Sequence, residues 1–415
     1  MPLLFIDQKA TERSIKMSKK IPLWIAISVT LLFGTVVMLV TVRYVSRSYT
    51  QLQTVTPTNN FYSKLDIVAE SVKNDFYKDI DETKLQDAMI EGYLSGLGDD
   101  YAEYFSAEET AAIDAEGKGQ VAGMGVNYII NPKTGYMYIR RVHEKSPAFA
   151  AGIEAGESIA AINGTTVTAE NYEELLANLR KNLGQPAEIK VIGKNGKSRT
   201  VSVAPAAFEG QSVWVSKIGD TAYIVITGFD DTTAQQLREA FAKVADAKNV
   251  IFDLRGNPGG TVRSVCACLD YLLPSGELLV ATYKDGSSKV LQYSDAEAAL
   301  NIPAVVLVDS KTASSGEVFT LAMRDIYNAK IVGETTFGKG VMQNNYDFED
   351  GSSYKFTVAT VTSQSRVEYN GLGIVPDVTV KLSAEEKETI KMTPVEKDKF
   401  IAAAMEVFEA AEVKE

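Results

Sequence analysis

The residues of this sequence best suited to chemistry are Ser314 and Lys339, which lie 25 positions apart among small residues. A serine hydroxyl attacks a carbonyl carbon only when a base removes its proton, and histidine is the usual base. The chain of 415 residues contains a single histidine, His143. If the chain carries out nucleophilic chemistry, we therefore expect lysine rather than histidine to act as the base.

Ser314 follows a predicted apolar strand over 304–308 and stands where a helix is predicted to begin. The first N–H groups of a helix have no partner within it, so they can bind a developing oxyanion, and the Ser315 N–H is one such donor. The same serine, with Glu317 three residues later, also matches a capping box, which is a purely structural motif. This segment alone therefore leaves a catalytic and a structural interpretation open.

A glycine-rich segment over 253–260, with the sequence DLRGNPGG, follows another predicted buried strand. Binding sites in α/β sheets lie at the carboxyl ends of strands. The N–H of either Gly259 or Gly260 is placed to be the second oxyanion donor. A phosphate-binding loop is not indicated, because the G-x-x-x-x-G-K-[ST] spacing is absent.

Lys339 lies between two glycines after a predicted strand over 330–333. A lysine accepts a proton only when neutral, so its pKa must fall by about 3 units from its ordinary value near 10.4. Burial in an apolar pocket lowers a lysine pKa that far. Gln343, four residues later, is placed to orient the amine. A lysine between glycines is also common in solvated turns, so the role of Lys339 depends on its burial.

Alternating apolar strands and helices between residues 206 and 382 predict an α/β core that positions these segments. Residues 61–116 have a helical pattern. The tail from residue 383 is charged and helical, and it has an apolar stripe typical of either core packing or a dimer contact: Phe400, Ala403, Ala404 and Phe408.

Between residues 117 and 205 the sequence changes to short strands and turns, followed by an amphipathic helix over 172–180. This succession resembles a PDZ domain of the kind found in bacterial proteases. Such domains bind an extended peptide as an added strand and hold its terminal carboxylate in a backbone loop. In this resemblance, the carboxylate-binding loop corresponds to four residues that lead into an apolar strand: Gly123, Met124, Gly125 and Val126.

The charge and the cysteines exclude several other function classes. The formal net charge is −12, which argues against nucleic acid as a partner. The two cysteines, Cys266 and Cys268, lie too close together for a disulfide framework or a zinc site, and they are expected to be small apolar residues on one helix. We predict no metal and no cofactor.

The N-terminal region contains 22 consecutive residues without a charge, from Ile21 to Val42. That length spans a bilayer as a helix. Because more basic residues precede the span than follow it, the N-terminus is predicted to be cytoplasmic and the large C-terminal part extracytoplasmic. Met17 is an alternative start to Met1, and the sequence does not decide between them.

Four motifs in order resemble the carboxyl-terminal processing (tail-specific) serine proteases, and the resemblance covers about residues 61–382. The motifs are the 253–260 segment, Ser314-x-x-Glu317, the 337–343 segment FGKGVMQ and the 371–377 segment GLGIVPD. The resemblance implies that Ser314 is the nucleophile, Lys339 its base and Gln343 an assisting residue. It also implies a crotonase-like α/β core and a PDZ domain that recruits the C-terminal tails of substrates. Spacing to Glu317 and Lys339 favours Ser314 over the adjacent Ser315.

These features together predict a multidomain α+β protein. Its predicted parts are a cytoplasmic tail (1–20), a transmembrane anchor (21–43), a tether (44–60), a helical segment (61–116), a PDZ domain (117–205), a Ser/Lys protease core (206–382) and a C-terminal helical tail (383–415). The expected partners are proteins with free apolar C-termini and, through the N-terminal helix, a membrane. The alternative is an inactive PDZ adaptor that presents C-terminal peptides at the membrane. The natural substrate, the oligomeric state and the effect of the PDZ domain on activity are left open.

Overall fold

The structure, a computed structural model, describes residues 34–43, 61–295 and 298–412. Residues 34–43 are helical. Within the described ranges, no helix combines the length and the apolar character needed to cross a membrane. The predicted anchor over 21–43 lies mostly outside these ranges, as do the predicted cytoplasmic tail and tether, so all three stay predictions.

The chain packs as two units that divide between Leu85 and Gln86, within α2. The helices are α1 (Phe61–Asp75), α2 (Glu82–Ser95), α3 (Ala107–Gly117), α4 (Pro147–Ala150), α5 (Tyr172–Lys181), α6 (Thr233–Lys243), α7 (Val262–Leu272), α8 (Ser315–Tyr327), α9 (Ala384–Thr389) and α10 (Lys399–Glu412). In the first unit, the carboxylate of Asp81 accepts the Lys84 N–H at 3.1 Å and so caps the start of α2.

The strands of the second unit form four sheets. They are β1 (Glu103–Phe105), β2 (Gln120–Gly123), β3 (Val126–Ile130), β4 (Met137–Val142), β5 (Ser158–Ile162), β6 (Thr165–Thr166), β7 (Ala187–Ile192), β8 (Ser198–Val203), β9 (Ala206–Glu209), β10 (Val213–Ile218), β11 (Thr221–Ile226), β12 (Asn249–Asp253), β13 (Gly276–Tyr283), β14 (Ser288–Ser294), β15 (Ala304–Val308), β16 (Lys330–Gly333), β17 (Val341–Asp347), β18 (Ser353–Thr362) and β19 (Val378–Thr379).

The core sheet has six strands in the order β10-β11-β12-β15-β16-β19. Its strands from β11 to β19 are parallel, and β10 is antiparallel to β11. The sequences of these strands are continuously apolar because both faces of the sheet are buried. In β11, Ile224 and Ile226 pack against the layer that contains α6, α7 and α8, whereas Tyr223 and Val225 pack against α10 on the opposite face.

The apolar stripe of the C-terminal tail belongs to this second face. Phe400, Ala404 and Phe408 of α10 are buried against the core sheet. Of the two interpretations of the stripe, core packing is therefore confirmed. Cys266 and Cys268 are likewise buried on α7 with free thiols, as expected. In the described ranges, no group of three or more histidine, cysteine or acidic side chains is arranged to hold a metal ion.

A second sheet of the same unit contains β1, which lies before the PDZ region in the chain. Its strands follow the order β1-β18-β13-β14, and β17 also pairs with β18. The three-residue strand β1 is antiparallel to β18, with Tyr104 opposite Tyr354. This pairing brings the residues just before β1 close to β17 and β18.

The PDZ region contains the sheet β3-β4-β5-β7-β8, with β6 paired to β5. Strand β3 lies at the edge of this sheet, so its outer side is open to an added strand. Helix α5, which the sequence predicts over 172–180, extends over Tyr172–Lys181. The segment Gly123 to Val126 connects β2 with the edge strand β3.

Candidate active site

Three loops that follow adjacent parallel strands meet at the carboxyl edge of the core sheet. We name them the glycine loop (254–261, after β12), the serine loop (309–314, after β15) and the lysine loop (334–340, after β16). This edge is where α/β sheets bind their ligands. The fold thus brings together the three segments that the sequence analysis singled out.

The carboxylate of Glu317 joins the serine loop to the lysine loop. Its Oε2 accepts the N–H of Ser314 at 3.0 Å and the N–H of Lys339 at 2.8 Å. Its Oε1 accepts the N–H of Gly338 at 2.7 Å and the hydroxyl of Thr336 at 2.5 Å. The side chain has no exposed surface. The capping interaction expected from the sequence is present, and the same carboxylate also fixes the backbone of Lys339.

Ser314 has an unusual backbone conformation for a residue with a side chain, with φ 52° and ψ −118°. Such a conformation costs about 1–3 kcal/mol and persists only where the surroundings enforce it. The residue is half-buried. A Cβ atom at Gly259 would lie 2.9 Å from the Cβ of Ser314, so only glycine allows the two loops to approach this closely.

Ser315 has a different environment from Ser314. It is 1% exposed, and its hydroxyl donates to the carbonyl of Gly260 at 2.9 Å. The hydroxyl of Ser315 therefore holds the glycine loop against the start of α8. Between the two adjacent serines, this contact favours Ser314 as the candidate nucleophile.

The two candidate oxyanion donors of the glycine loop, Gly259 and Gly260, differ in whether their N–H groups already donate a hydrogen bond. The Gly259 N–H donates to Oδ1 of Asn257 at 2.8 Å and is thus occupied. Within the described part of the chain, the N–H groups of Gly260 and Ser315 donate no hydrogen bond. The pair formed by Gly260 and Ser315 is therefore better placed than Gly259 to bind an oxyanion.

Further hydrogen bonds fix the glycine loop to the serine loop. The Ala313 N–H donates to the carbonyl of Asn257, and the Thr312 hydroxyl donates to the carbonyl of Leu254, both at 2.9 Å. Oδ1 of Asp309 accepts the Gly256 N–H at 2.8 Å. The two loops consequently behave as one positioned unit.

The ammonium group of Lys339 lies over the ring of Tyr101, with 4.3 Å between Nζ and the ring centroid. Lys339 is half-buried, and burial, followed by the nearby charge of Lys355, lowers its pKa; Asp99 and Glu103 act in the opposite direction. No hydrogen bond in the described part of the chain joins Nζ to the hydroxyl of Ser314. The structure thus shows the amine resting on an aromatic face.

Gln343 lies on β17, where its side chain belongs to a short hydrogen-bonded chain. Its Nε2 donates to Oγ1 of Thr357 at 3.0 Å, and the Thr357 hydroxyl donates to Oδ1 of Asp99 at 3.0 Å. The Thr357 N–H donates to Oδ2 of Asp99 at 2.7 Å. Burial raises the pKa of Asp99, but these bonds, the Tyr101 N–H and the charge of Lys339 outweigh it and lower the pKa. Gln343 is therefore held through Thr357, and no hydrogen bond in the described chain links it to Lys339.

The sequence analysis did not identify Asp99, Tyr101 or Thr357. Asp99 and Tyr101 precede β1 and reach the site only because β1 pairs with β18. The one local signal was an aspartate pair and a tyrosine directly after the segment Gly96-Leu97-Gly98.

His143 is a structural residue of the PDZ region. It is 8% exposed, its Nδ1 accepts the Gln211 N–H at 2.8 Å, and its ring packs edge-on against Phe208 and Trp214. Burial lowers its pKa. It makes no hydrogen bond with Ser314 within the described ranges, which agrees with the expectation that it does not act as the base.

The acidic residue at the start of the 253–260 segment is also structural. Asp253 is buried and accepts the hydroxyl of Tyr223 at 2.5 Å. Burial raises its pKa, but the Arg255 guanidinium outweighs that and lowers the pKa to about 2. Arg255 also donates to Asp398, just before α10, with a shortest distance of 2.8 Å. This ion network fixes the C-terminal segment to the first turn of the glycine loop.

One cavity of about 560 Å³ connects the PDZ region with the glycine loop. Its PDZ side contains the predicted carboxylate loop, Gly123 to Val126, together with Leu176 and Leu179 of α5. Its core side contains Gly259 and Gly260. The predicted peptide-binding residues and the two candidate oxyanion glycines therefore line the same space.

The Glu317 contacts predict the effect of replacing this carboxylate with an amide of the same shape. In Glu317→Gln, the side-chain NH₂ faces at least one of the four donors, so we expect a loss of about 2–4 kcal/mol in the free energy of unfolding. Urea unfolding followed by circular dichroism measures this loss. Glu174→Gln, at an exposed position of α5, is the matched control and should stay within about 0.5 kcal/mol of the parent chain. Equal stability of the Glu317→Gln variant and the parent would show that the four hydrogen bonds to Glu317 do not stabilise the fold.

The backbone of Ser314 predicts an unusual order of stability among its variants. Ser314→Ala keeps the strained φ, whereas Ser314→Gly relieves it, so the glycine variant should be the more stable by about 1–2 kcal/mol. Differential scanning calorimetry of both variants tests this order. A glycine variant that unfolds at a lower temperature than the alanine variant would show that Ser314 is not strained.

Comparison with known proteins agrees with this arrangement. The model of peptidase family S41 matches residues 220–380, and that of the PDZ domain matches residues 113–191. A Bacteroides fragilis protein described as an S41 protease superposes with a TM-score of 0.55 at 16% identity, covering 81% of this chain and 92% of that one, which supports the fold alone.

Two curated proteins are similar over most of their length. The carboxy-terminal processing protease CtpA of Bacillus subtilis (strain 168) is 31% identical over 325 residues, which cover 77% of this chain and 69% of that protein. A "Probable CtpA-like serine protease" of Staphylococcus aureus (strain COL) is 28% identical over 372 residues, which cover 88% of this chain and 74% of that protein. The chain therefore belongs to peptidase family S41 and is a C-terminal processing serine peptidase that carries a PDZ domain.

Proposed function

We propose that this peptidase cleaves protein substrates whose C-terminal tails bind to its PDZ domain, with Ser314 as nucleophile and Lys339 as base. The observation that supports this most is the shared cavity of about 560 Å³, which extends from the carboxylate loop to the glycine loop beside Ser314. A tail that is held at the loop can pass through this space toward the serine.

The PDZ side of the cavity suits an apolar tail with a free carboxylate. The N–H groups of Met124 and Gly125 donate no hydrogen bond within the described chain, so they are available to a carboxylate. Strand β3 offers an open edge to the tail. Leu176 and Leu179 of α5 and Tyr128 of β3 give the groove an apolar lining.

The proposed reaction begins with neutral Lys339. Its Nζ takes the proton of the Ser314 hydroxyl, and Oγ of Ser314 forms a bond with the scissile carbonyl carbon. The N–H groups of Ser315 and Gly260 bind the oxyanion. Lys339 then gives the proton to the leaving amine as the C–N bond breaks, and water hydrolyses the acyl-enzyme ester.

The structure requires one movement for this reaction, because the Lys339 ammonium rests on Tyr101. The lysine side chain has a flexible four-carbon stem, whereas its backbone is held by Glu317. In this proposal, a rotation of the side chain brings the amine to Ser314. Through Thr357, Asp99 acts as a positioning residue for Gln343, which in this proposal assists the lysine.

The proposed location is extracytoplasmic, with the chain anchored by residues 21–43. This proposal rests on the uncharged run from Ile21 to Val42 and on the basic residues before it. Proteinase protection of intact cells or spheroplasts tests it: exposure of the PDZ domain only after lysis would contradict it.

Lys339 gives the proposed reaction a defined pH dependence. Since only its neutral form accepts the Ser314 proton, kcat/KM should rise with pH through the lysine pKa, which burial places below the ordinary value. The charge of Lys355 contributes to that lowering. Lys355→Met should therefore shift the rise of kcat/KM to higher pH. Lys330→Met, which removes an exposed lysine paired with Asp377, is the control and should leave the rise in place. A shift to lower pH in the Lys355 variant would contradict the role of Lys339.

The proposed recruitment predicts a strong dependence on the substrate terminus. For an unstructured protein with an apolar C-terminus, amidation of that terminus should lower kcat/KM about 10- to 100-fold, because the charge-assisted hydrogen bonds to the carboxylate are lost. Gel analysis of the cleavage products over time measures the two rates. Equal rates would show that no carboxylate is captured at the loop.

Active-site variants separate this function from that of an inactive adaptor. Lys339→Met and Ser314→Ala should each retain binding of the free-carboxylate substrate and lose its cleavage. Binding without cleavage by the parent chain would favour the adaptor. Cleavage at the parental rate by the lysine variant would exclude Lys339 as the base.

A further inference from the structure

A second and larger cavity, of about 890 Å³, lies between the PDZ region, the core sheet and the C-terminal segment. The PDZ region contributes residues of β4, the core contributes residues of β10 and the serine loop, and the segment 390–398 closes the other side. We call it the basic cavity. None of Ser314, Lys339, Gly259 and Gly260 lines it.

The basic cavity is positively charged in a chain whose formal net charge is −12. Seven arginines and lysines line it against three acidic residues. Arg255, Lys194 and Lys387 have carboxylate partners. In the described part of the chain, the other four form no ion pair: Arg140, Arg141, Lys311 and Lys391.

The acidic residues of the lining offset only part of this positive charge. Asp398 is engaged by Arg255, and Glu334 by Lys387. Oδ1 of Asp309 accepts the N–H groups of Gly256 and Lys311 and opposes the remaining positive charge with a single negative charge. The side chains that line the cavity therefore carry an excess of positive charge.

Three of the four cations are half-buried. Burial lowers the pKa of Lys391, and although Asp309 opposes this, the charges of Lys311, Arg140 and Arg255 lower it further. Burial also lowers the pKa of Arg141, whose guanidinium lies 5.2 Å from the ring centroid of Trp214. Like charges that are close together and shielded from water repel one another unless an anion lies between them.

The cations come from three separate segments and converge on one space. Arg140 and Arg141 lie on β4, Lys311 on the serine loop and Lys391 in the short helix Ile390–Met392. A convergent arrangement suits a compact ligand with several charges better than an extended acidic chain. The volume lies within the range of about 300–1,000 Å³ that is typical of small-molecule sites.

We propose that the basic cavity binds a small polyvalent anion of the phosphate or polyphosphate type. The guanidinium groups of Arg140 and Arg141 supply paired N–H donors that match phosphate oxygens, and Lys311 and Lys391 supply point charges. Because the ligand contacts all three segments, it links the PDZ region to the serine loop three residues before Ser314. The proposal concerns binding and does not depend on the peptidase mechanism.

Inorganic pyrophosphate is the probe, and isothermal titration calorimetry of the purified full chain is the measurement. The parent chain should bind pyrophosphate and show a concentration-dependent rise in Tm, with sodium chloride keeping the ionic strength constant. The double variant Arg140→Gln/Lys391→Met should bind at least 10-fold more weakly. Lys133→Met, which removes a single cation from an exposed position of the β3–β4 turn, is the control and should bind like the parent.

The unliganded variants supply an independent readout. Lys391→Met removes a half-buried cation from its like-charged neighbours, so without pyrophosphate it should unfold at a higher Tm than the parent. Absence of pyrophosphate binding to the parent, or unchanged affinity in the double variant, would overturn the proposal. Binding of a polyglutamate peptide without binding of pyrophosphate would also overturn it and assign the cavity to an acidic polypeptide.

Discussion

The buried carboxylate of Glu317 is the constraint on which the rest of the site depends. A charge without exposed surface is stable only when its oxygens accept several hydrogen bonds, and here the donors belong to two loops that follow different strands. Satisfying the carboxylate therefore fixes the backbones of Ser314 and Lys339 relative to each other. It does not hold the lysine side chain, whose ammonium group rests on the ring of Tyr101 instead.

The sequence predicted the core sheet and its loops well because the physical signals there are local. Strands such as β15, Ala304–Val308, are continuous apolar runs buried on both faces, and Ser314 with Glu317 forms a helix start that can be read from four residues. Strand β17 was missed because four of its seven residues are polar and four are exposed, without a clear alternation. Tyr101 and Asp99 were missed because their partners, Lys339 and Thr357, are more than 200 positions away, and only the pairing of the short strand β1 brings them together.

The glycine loop and the serine loop, which hydrogen bonds join, border two cavities of different character. On one side, the glycine loop opens to the groove of the PDZ domain, which is lined by apolar residues and free N–H groups. On the other side, Lys311 belongs to a cavity rich in unpaired cations. Since both cavities also contain PDZ residues, the PDZ domain contacts the surroundings of Ser314 from two directions.

The ion pair between Arg255 and Asp398 has a consequence for the synthesis of the protein. Arg255 lies in the glycine loop, whereas Asp398 is among the last residues to be translated of those that the structure describes. While the chain is still growing on the ribosome, the guanidinium lacks this partner, and α10 does not yet cover its face of the core sheet. The glycine loop thus gains this ion pair only after every strand of the core sheet has been translated, so a chain that stops within the core sheet lacks the contact that ties this loop to the C-terminal segment.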